Sequence, residues 1–476
     1  TSIGGALVFA RHANQARAFV GWNAVADVRN LLELDAVATV SSPVNPFELV
    51  LAITGFGEAT QAEALGAAYA YGEAFASDDE EDEESAIKRQ LEEHVPNLAN
   101  AILQENEIGT TFVHSGGAAE EGGTVLSIGL TWLYTLNHAE SGIAKNAQVN
   151  QRAETLWAGQ LANQDVTVSS AGNVSSVNYA GNPSVLNIIS NSAETGAGGF
   201  FDGIFIQNRA ISSIDDLAAV KAARDVSINA VTDTHVVTVV FSGDYVDGSA
   251  INGAVAWNRV KSHTFANIED RAAVEAGRNL AIDAQSDTTA ITLTPAVAIG
   301  GEKGVGVGAS FTSIIDRTRA WIGDRAEVVP PGGYGGVTGE VTAGNDLVLS
   351  ARSNPVAWAV GASAGLATGQ STSSGSGPSG TVSQGDAGVG GSTGVGIAGS
   401  VSLVIVNQTV EVFLDDAVTV SAGNRIDLDA FGNPVLVSGA GAFAFGDSST
   451  AIGGSYAHNQ LNQKVRAWVD NAAVDA

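Results

Sequence analysis

Val341–Ala351 reads VTAGNDLVLSA, and Val420–Ala430 reads VSAGNRIDLDA. A third version, VEAGRNLAIDA, spans Val274–Ala284, and a looser one, VKAARDVSINA, spans Val220–Ala230. In each, the second half alternates: Leu347 and Leu349, or Ile426 and Leu428, are separated by polar residues. A period of two is the pattern of a strand with one buried face. The Ala-Gly-Asn ahead of it supplies Gly where a sharp corner calls for positive φ. Strand, corner, strand, spelled four times, predicts a parallel β-solenoid whose equivalent positions stack at roughly 4.8 Å per coil.

Two more phrases recur upstream of the motif. One is RAFVGWNAVA at Arg17, RAWIGDRAEV at Arg319, VEVFLDDAVTV at Val410 and VRAWVDNAAV at Val465, with weaker copies at Glu140, Ala210 and His263. The other is Gly-rich and apolar: TSIGGALVF at Thr1, VGVGASFTSI at Val305, VGIAGSVSLVIV at Val395 and TAIGGSYA at Thr450. The motif copies end at Ala230, Ala284, Ala351 and Ala430, steps of 54, 67 and 79 residues. Unequal steps fit a coil of constant core with connections of varying length. The Gly-rich phrases read either as rungs or as protruding antiparallel hairpins.

Two stretches interrupt the pattern. Residues 56–107 are rich in Ala, Glu, Leu and Gln, and read as a small α-helical insertion around the acidic run Asp78–Glu84. Residues 368–394 are Gly/Ser-rich and read as a flexible loop. Solenoid repeats are expected over 1–55, 108–367 and 395–476. Both ends fall in the same phase of the repeat, so we expect the array to continue beyond this segment.

Composition narrows the partners. The net charge of −29 repels nucleic-acid phosphates and anionic lipid surfaces. The absence of Cys excludes disulfides and thiolate metal sites. No run of ~18 apolar residues free of Gly and charge occurs, so no membrane span is expected. Gly at 57 of 476 residues, with 45% hydrophobic residues, describes a small-residue core rather than a disordered chain.

The sequence AWIGDRAEV…TAGNDLVLSA…GVGIAGSVSLVIVNQTVEVFLDDAVTVSAGNRIDLDA resembles the repeats of giant bacterial surface proteins, the filamentous-haemagglutinin and leukotoxin-type filamentous adhesins. The resemblance covers everything but the two interruptions. It implies secreted, cell-surface β-solenoid fibres. The function it implies is a structural segment of such a fibre or adhesin, extracellular or at the bacterial cell surface. Its partners would be neighbouring segments of the same chain, surface glycans or proteins, and possible self-association. A self-assembling filament or sheath subunit and a polysaccharide-acting β-helix enzyme are the alternatives.

Chemistry-bearing motifs are weak. Gly361–Gly365 matches G-x-S-x-G, but no helix pattern follows it, as a nucleophile elbow requires. Gly394–Gly399 matches G-x-G-x-x-G, yet opens a strand pattern, so its small residues are expected to let one sheet lie close to another. The acidic run can bind Ca²⁺ weakly through its oxygens but lacks an EF-hand spacing. Seven scattered His, expected in loops or on the surface, show no metal-ligand spacing. No catalytic, cofactor or metal residue is assigned, and no combined set of acids and basic residues on adjacent rungs, as carbohydrate-cleaving β-helices carry, is expected to recur beside a groove. The candidate interaction face is aromatic: Phe19, Trp321, Phe413 and Trp468 occupy one repeat position, alternate with Val20, Ile322, Leu414 and Val469, and so point outward. Arg17, Arg319 and Arg466 lie two residues earlier, placed to cap the rings.

Overall fold

The alternation runs much further than the quoted phrases. In the computed structural model, which describes residues 2–40, 111–114, 123–157, 161–181, 194–269, 271–323, 339–367, 394–415, 418–446 and 450–476, the chain winds into coils of two long strands and one short one. The first coil is β1 (Ser2–Val20), β2 (Val25–Ala26) and β3 (Leu31–Val40), with β4 (Thr111–His114) continuing β3. The second is β5 (Thr124–Ile143), β6 (Gln148–Val149), a short helix α1 (Ala153–Trp157) and β7 (Asp165–Gly181). Then come β8 (Thr195–Ile214), β9 (Ala219–Ala222) and β10 (Val226–Val246), followed by β11 (Ser249–Ile268), β12 (Ala273–Ala276) and β13 (Leu280–Gly300). The fifth coil is β14 (Lys303–Ile322), β15 (Gly339–Ala343) and β16 (Asp346–Ala367). The sixth is β17 (Val395–Leu414), β18 (Val418–Ala422), β19 (Arg425–Gly432) and β20 (Val435–Gly446), and the last is β21 (Thr450–Val469) with β22 (Ala473–Asp475).

The first strands of the coils make a seven-stranded front sheet, the short strands a seven-stranded side sheet, and the remainder a back sheet. Every strand pairing in the three sheets is parallel. This is a parallel β-solenoid, and it decides between rungs and hairpins: the Gly-rich phrases begin the front strands. Asp247-Gly248 looks like a hairpin turn, but β10 and β11 lie in different sheets and face each other across the core. Asn258 donates from β11 to Thr292 on β13 (2.7 Å) across that core. The strands are about 20 residues long, far above the usual 5–6. Their length is stabilised by neighbours on both edges rather than by local propensity.

Register, not spacing, is constant. Thr195, Ser249 and Lys303 pair in succession, 54 residues apart. The longer steps, Ser2 to Val125 and Lys303 to Val395, span stretches outside the described residues and leave the ladder intact. The expected insertion at 56–107 lies outside the described residues, as does the expected loop at 368–394 apart from Gly394.

The cross-section is a wedge. At its wide end, Ile143, Ile214, Ile268, Ile322 and Leu414 of the front sheet stack in a column. They meet Val149, Val220, Val274, Val341 and Val420 of the side sheet, and Ile228, Ile282 and Leu349 of the back sheet. Full burial of each such side chain is worth about 1.5–3 kcal/mol. The front-to-side corner explains the second phrase. A left-handed residue, Asn23, Asn146 or Leu217, precedes an Ala packed against the core whose amide closes a turn, as Ala147 N–H does on the Ala144 carbonyl (3.0 Å). Asn tolerates that backbone region well.

The side-to-back corner is a correction to the expected positive φ. Gly277, Gly344 and Gly423 stack on one another with φ outside the left-handed region. A methyl on Gly344 would collide with the Gly277 carbonyl, and one on Gly423 with that of Gly344. Gly is there for coil-on-coil approach. At the thin edge of the wedge the same logic joins the two long sheets. A side chain on Gly306 would strike the Ala364 carbonyl, and one on Gly396 the Phe445 carbonyl. The G-x-G-x-x-G match is therefore a close-packing device, and the G-x-S-x-G match lies inside β16 with Ser363 turned into the core.

Between the wide and thin ends runs a polar seam that the sequence reading did not anticipate. Asn14, Asn137, Asn208, Ser262, Asp316, Gln408 and Gln463 occupy one inward register position. Asn137 donates to Asn208 (3.0 Å), Ser286 bridges Ser262 (3.0 Å) and Asp316 (2.7 Å), and Gln408 donates to the Ser353 carbonyl (2.8 Å). Mutual pairing makes such burial tolerable.

Candidate interaction faces

Outward-facing residues of the front strands form columns as regular as those inside. The four aromatics belong to one column, Phe19–Gly142–Ser213–Asn267–Trp321–Phe413–Trp468. Their partners Ile322 and Leu414 are buried inside, so these rings stand on the outer surface. Consecutive rings stack: Trp321 on Phe413 at 5.8 Å, and Phe413 on Trp468 at 4.5 Å. The stack covers itself, because Phe413 retains no exposed surface while Phe19, alone in its part of the column, is 37% exposed.

The Arg column caps rings in two ways. Arg17 and Arg466 sit over Phe19 (5.5 Å) and Trp468 (4.5 Å), two residues on in their own strands. Arg319 instead sits over Phe265 of the coil below. Glu411, between Arg319 and Arg466 in register, is fully buried beneath them. It accepts a hydrogen bond from Arg466 (2.6 Å) and forms ion pairs with Arg319 Nε (2.8 Å) and Lys464 Nζ (3.0 Å).

A neighbouring column, Gln15–His138–Arg209–His263–Arg317–Thr409–Lys464, is largely basic. Arg259 and Lys261 lie beside it, over the ring of Phe205. Burial first, and then the charges of Arg317, Arg209, Lys261 and Arg319, hold the His263 imidazole down at about 4. His138 and His263 lie on the outer face of the front sheet, as the surface alternative had it, whereas His12 faces inward from β1. Among the described residues, no group of His, Asp and Glu is placed to hold a metal. The acidic run 78–84 lies outside them.

Beyond the basic columns, toward the thin edge, the front face turns apolar. Trp132 stacks on Phe201 and meets Trp257 edge-on at 6.1 Å. A shallow groove of about 360 Å³ follows, lined by Phe201, Val255, Trp257, Phe311, Leu403 and Ile405. The charged column beside this groove is basic alone, with no acid in it. Aligning the coils on their register, which unequal spacing hides, is the operation that reveals both columns.

No family model, no curated protein and no solved structure matches the chain. No helix among the described residues is long and apolar enough to cross a membrane.

Proposed function

We propose that this chain is a structural segment of a giant secreted bacterial surface fibre or adhesin of the filamentous-haemagglutinin type. It gives reach at the cell surface and performs no catalysis. The observation carrying this reading is the register. Coils interrupted by very different lengths of chain still pair residue for residue along all three sheets. A body held together by neighbour-to-neighbour contacts lengthens without limit while carrying inserted segments on its flanks. Attachment to glycans or proteins of another surface would use such segments, or the exposed ring of Phe19 and the partly exposed rings of Trp321 and Trp468.

Antibodies raised against the 476-residue chain test the placement. Labelling of intact producing cells is the expected result. Labelling only after permeabilisation would overturn it, as would turnover of acidic or neutral polysaccharides by the purified chain.

A further inference from the structure

The two broad faces of the wedge carry opposite charge at the same level. On the front face the cations Arg209, Arg259, Lys261 and Arg317 form no ion pair with a carboxylate among the described residues. The two outward acids of the front strands, Glu140 and Glu411, are both held by cations of that face. On the back face the outward column Asp35–Ser169–Asn229–Asp283–Ser350–Asp429 carries three acids, with Asp287 two outward positions further along β13; Arg352 lies by Asp429 (3.5 Å), while Asp35, Asp283 and Asp287 have no ion pair with a Lys or Arg among the described residues. Toward the thin edge both faces become apolar: Ile251, Trp257 and Phe311 in front, Leu293, Trp358 and Leu366 behind.

The core hydrogen bonds set the two patterns in line. Asn258 meets Thr292, and Ser262 meets Ser286, through the thickness of the wedge. Lys261 therefore stands at the level of Asp287, and Trp257 at the level of Leu293, on opposite outer surfaces. Carrying a second copy along the sheet normal, and turning it about the coil axis by the angle between the two faces, lays apolar on apolar and acid on base with no slip along the strands.

We propose that the back face of one copy docks on the front face of another, stacking wedges into an array. The proposal does not depend on where the protein resides. A face of 20-residue strands seven coils deep measures on the order of 2,000 Å² from strand rise and spacing. Even half of it on each partner exceeds the ~1,000 Å² total that a specific interface needs. Because the two patches differ, the contact is heterologous and each docked copy leaves a free face for the next.

Sedimentation velocity of the 476-residue chain over a concentration series at ~0.15 M salt tests this, since screening there limits the long-range repulsion of the net charge to about 8 Å. The chain is expected to associate with concentration. Reversing the front charges (K261D with R317D) or the back charges (D283K with D287K) weakens association roughly tenfold. All four substitutions in one chain restore it, a recovery that damage to the fold cannot produce. Circular dichroism confirms that each variant is folded. A wild-type chain that stays monomeric throughout overturns the proposal, and so does a fourfold variant that fails to recover. If the monomeric chain instead floats with phosphatidylserine vesicles, an anionic lipid surface is the occupant of the front face.

Discussion

Asp202 projects inward from β8 with its carboxyl fully buried, and neither oxygen has a hydrogen-bond partner. Burial pushes it up to about 8, whereas Asp316, also buried, reaches only about 6 because Ser286 and Thr318 donate to it. Asp202 is therefore protonated in the fold at neutral pH. Its folded pKa lies above the unfolded value of ~3.9, so its contribution is fully present below pH 4 and is lost as pH rises toward 8. Asp316 and Asp244, each near 6, act only in the lower part of that window. Its register neighbours Thr131 and Ala256 are small, so Ala fits the site. Asp202→Ala is expected to abolish the fall in melting temperature between pH 6 and 8, and to stabilise the chain at pH 9 by roughly 1–3 kcal/mol. Melts across that pH range check it; an unchanged slope would show that the carboxyl is not the cause.

At the scale of the strand, glycines sort by the side on which they lie. Gly306 on β14 faces the core against the β16 backbone, while Gly199 on β8 has open space where a side chain would be. Gly306→Val should cost about 3 kcal/mol or more, or prevent folding, since backbone cannot yield as a side chain does. Gly199→Val should be neutral or mildly stabilising through strand propensity. Thermal midpoints of the pair, equal under a purely compositional view, separate the two roles. The alternation in DLVLSA and RIDLDA made the strands legible. It could not tell a corner Gly needed for φ from one needed for stacking, because that depends on the residue one coil away. The same ignorance concealed the polar seam: Asn208 and Ser262 sit 54 positions apart, in phrases that share no letters.

For the whole molecule, the sequence carried the architecture and the seven coils but only fragments of the surface. Phe19, Trp321, Phe413 and Trp468 were recognisable as one position because their flanking phrases are well preserved. The basic column at His138, Arg209, His263, Arg317 and Lys464 was not, since its members differ in chemistry and lie at unequal intervals. Coil independence makes a further prediction. At the thin edge β10 reaches β11 through Asp247-Gly248, and β13 reaches β14 through Gly301-Glu302, each link two residues long. Replacing residues 368–394 with Gly-Glu should leave the far-ultraviolet circular dichroism unchanged and the melting temperature within about 3 °C, because loop length enters stability only logarithmically. Collapse of the fold on that exchange would mean that the excised residues brace the sheets.

Wherever a minimal crossing suffices, a longer one is optional, and nothing inside the wedge registers the change. The thin edge is a row of ports, one per turn of the chain, at which foreign domains can be spliced and displayed at fixed spacing along a rigid rail.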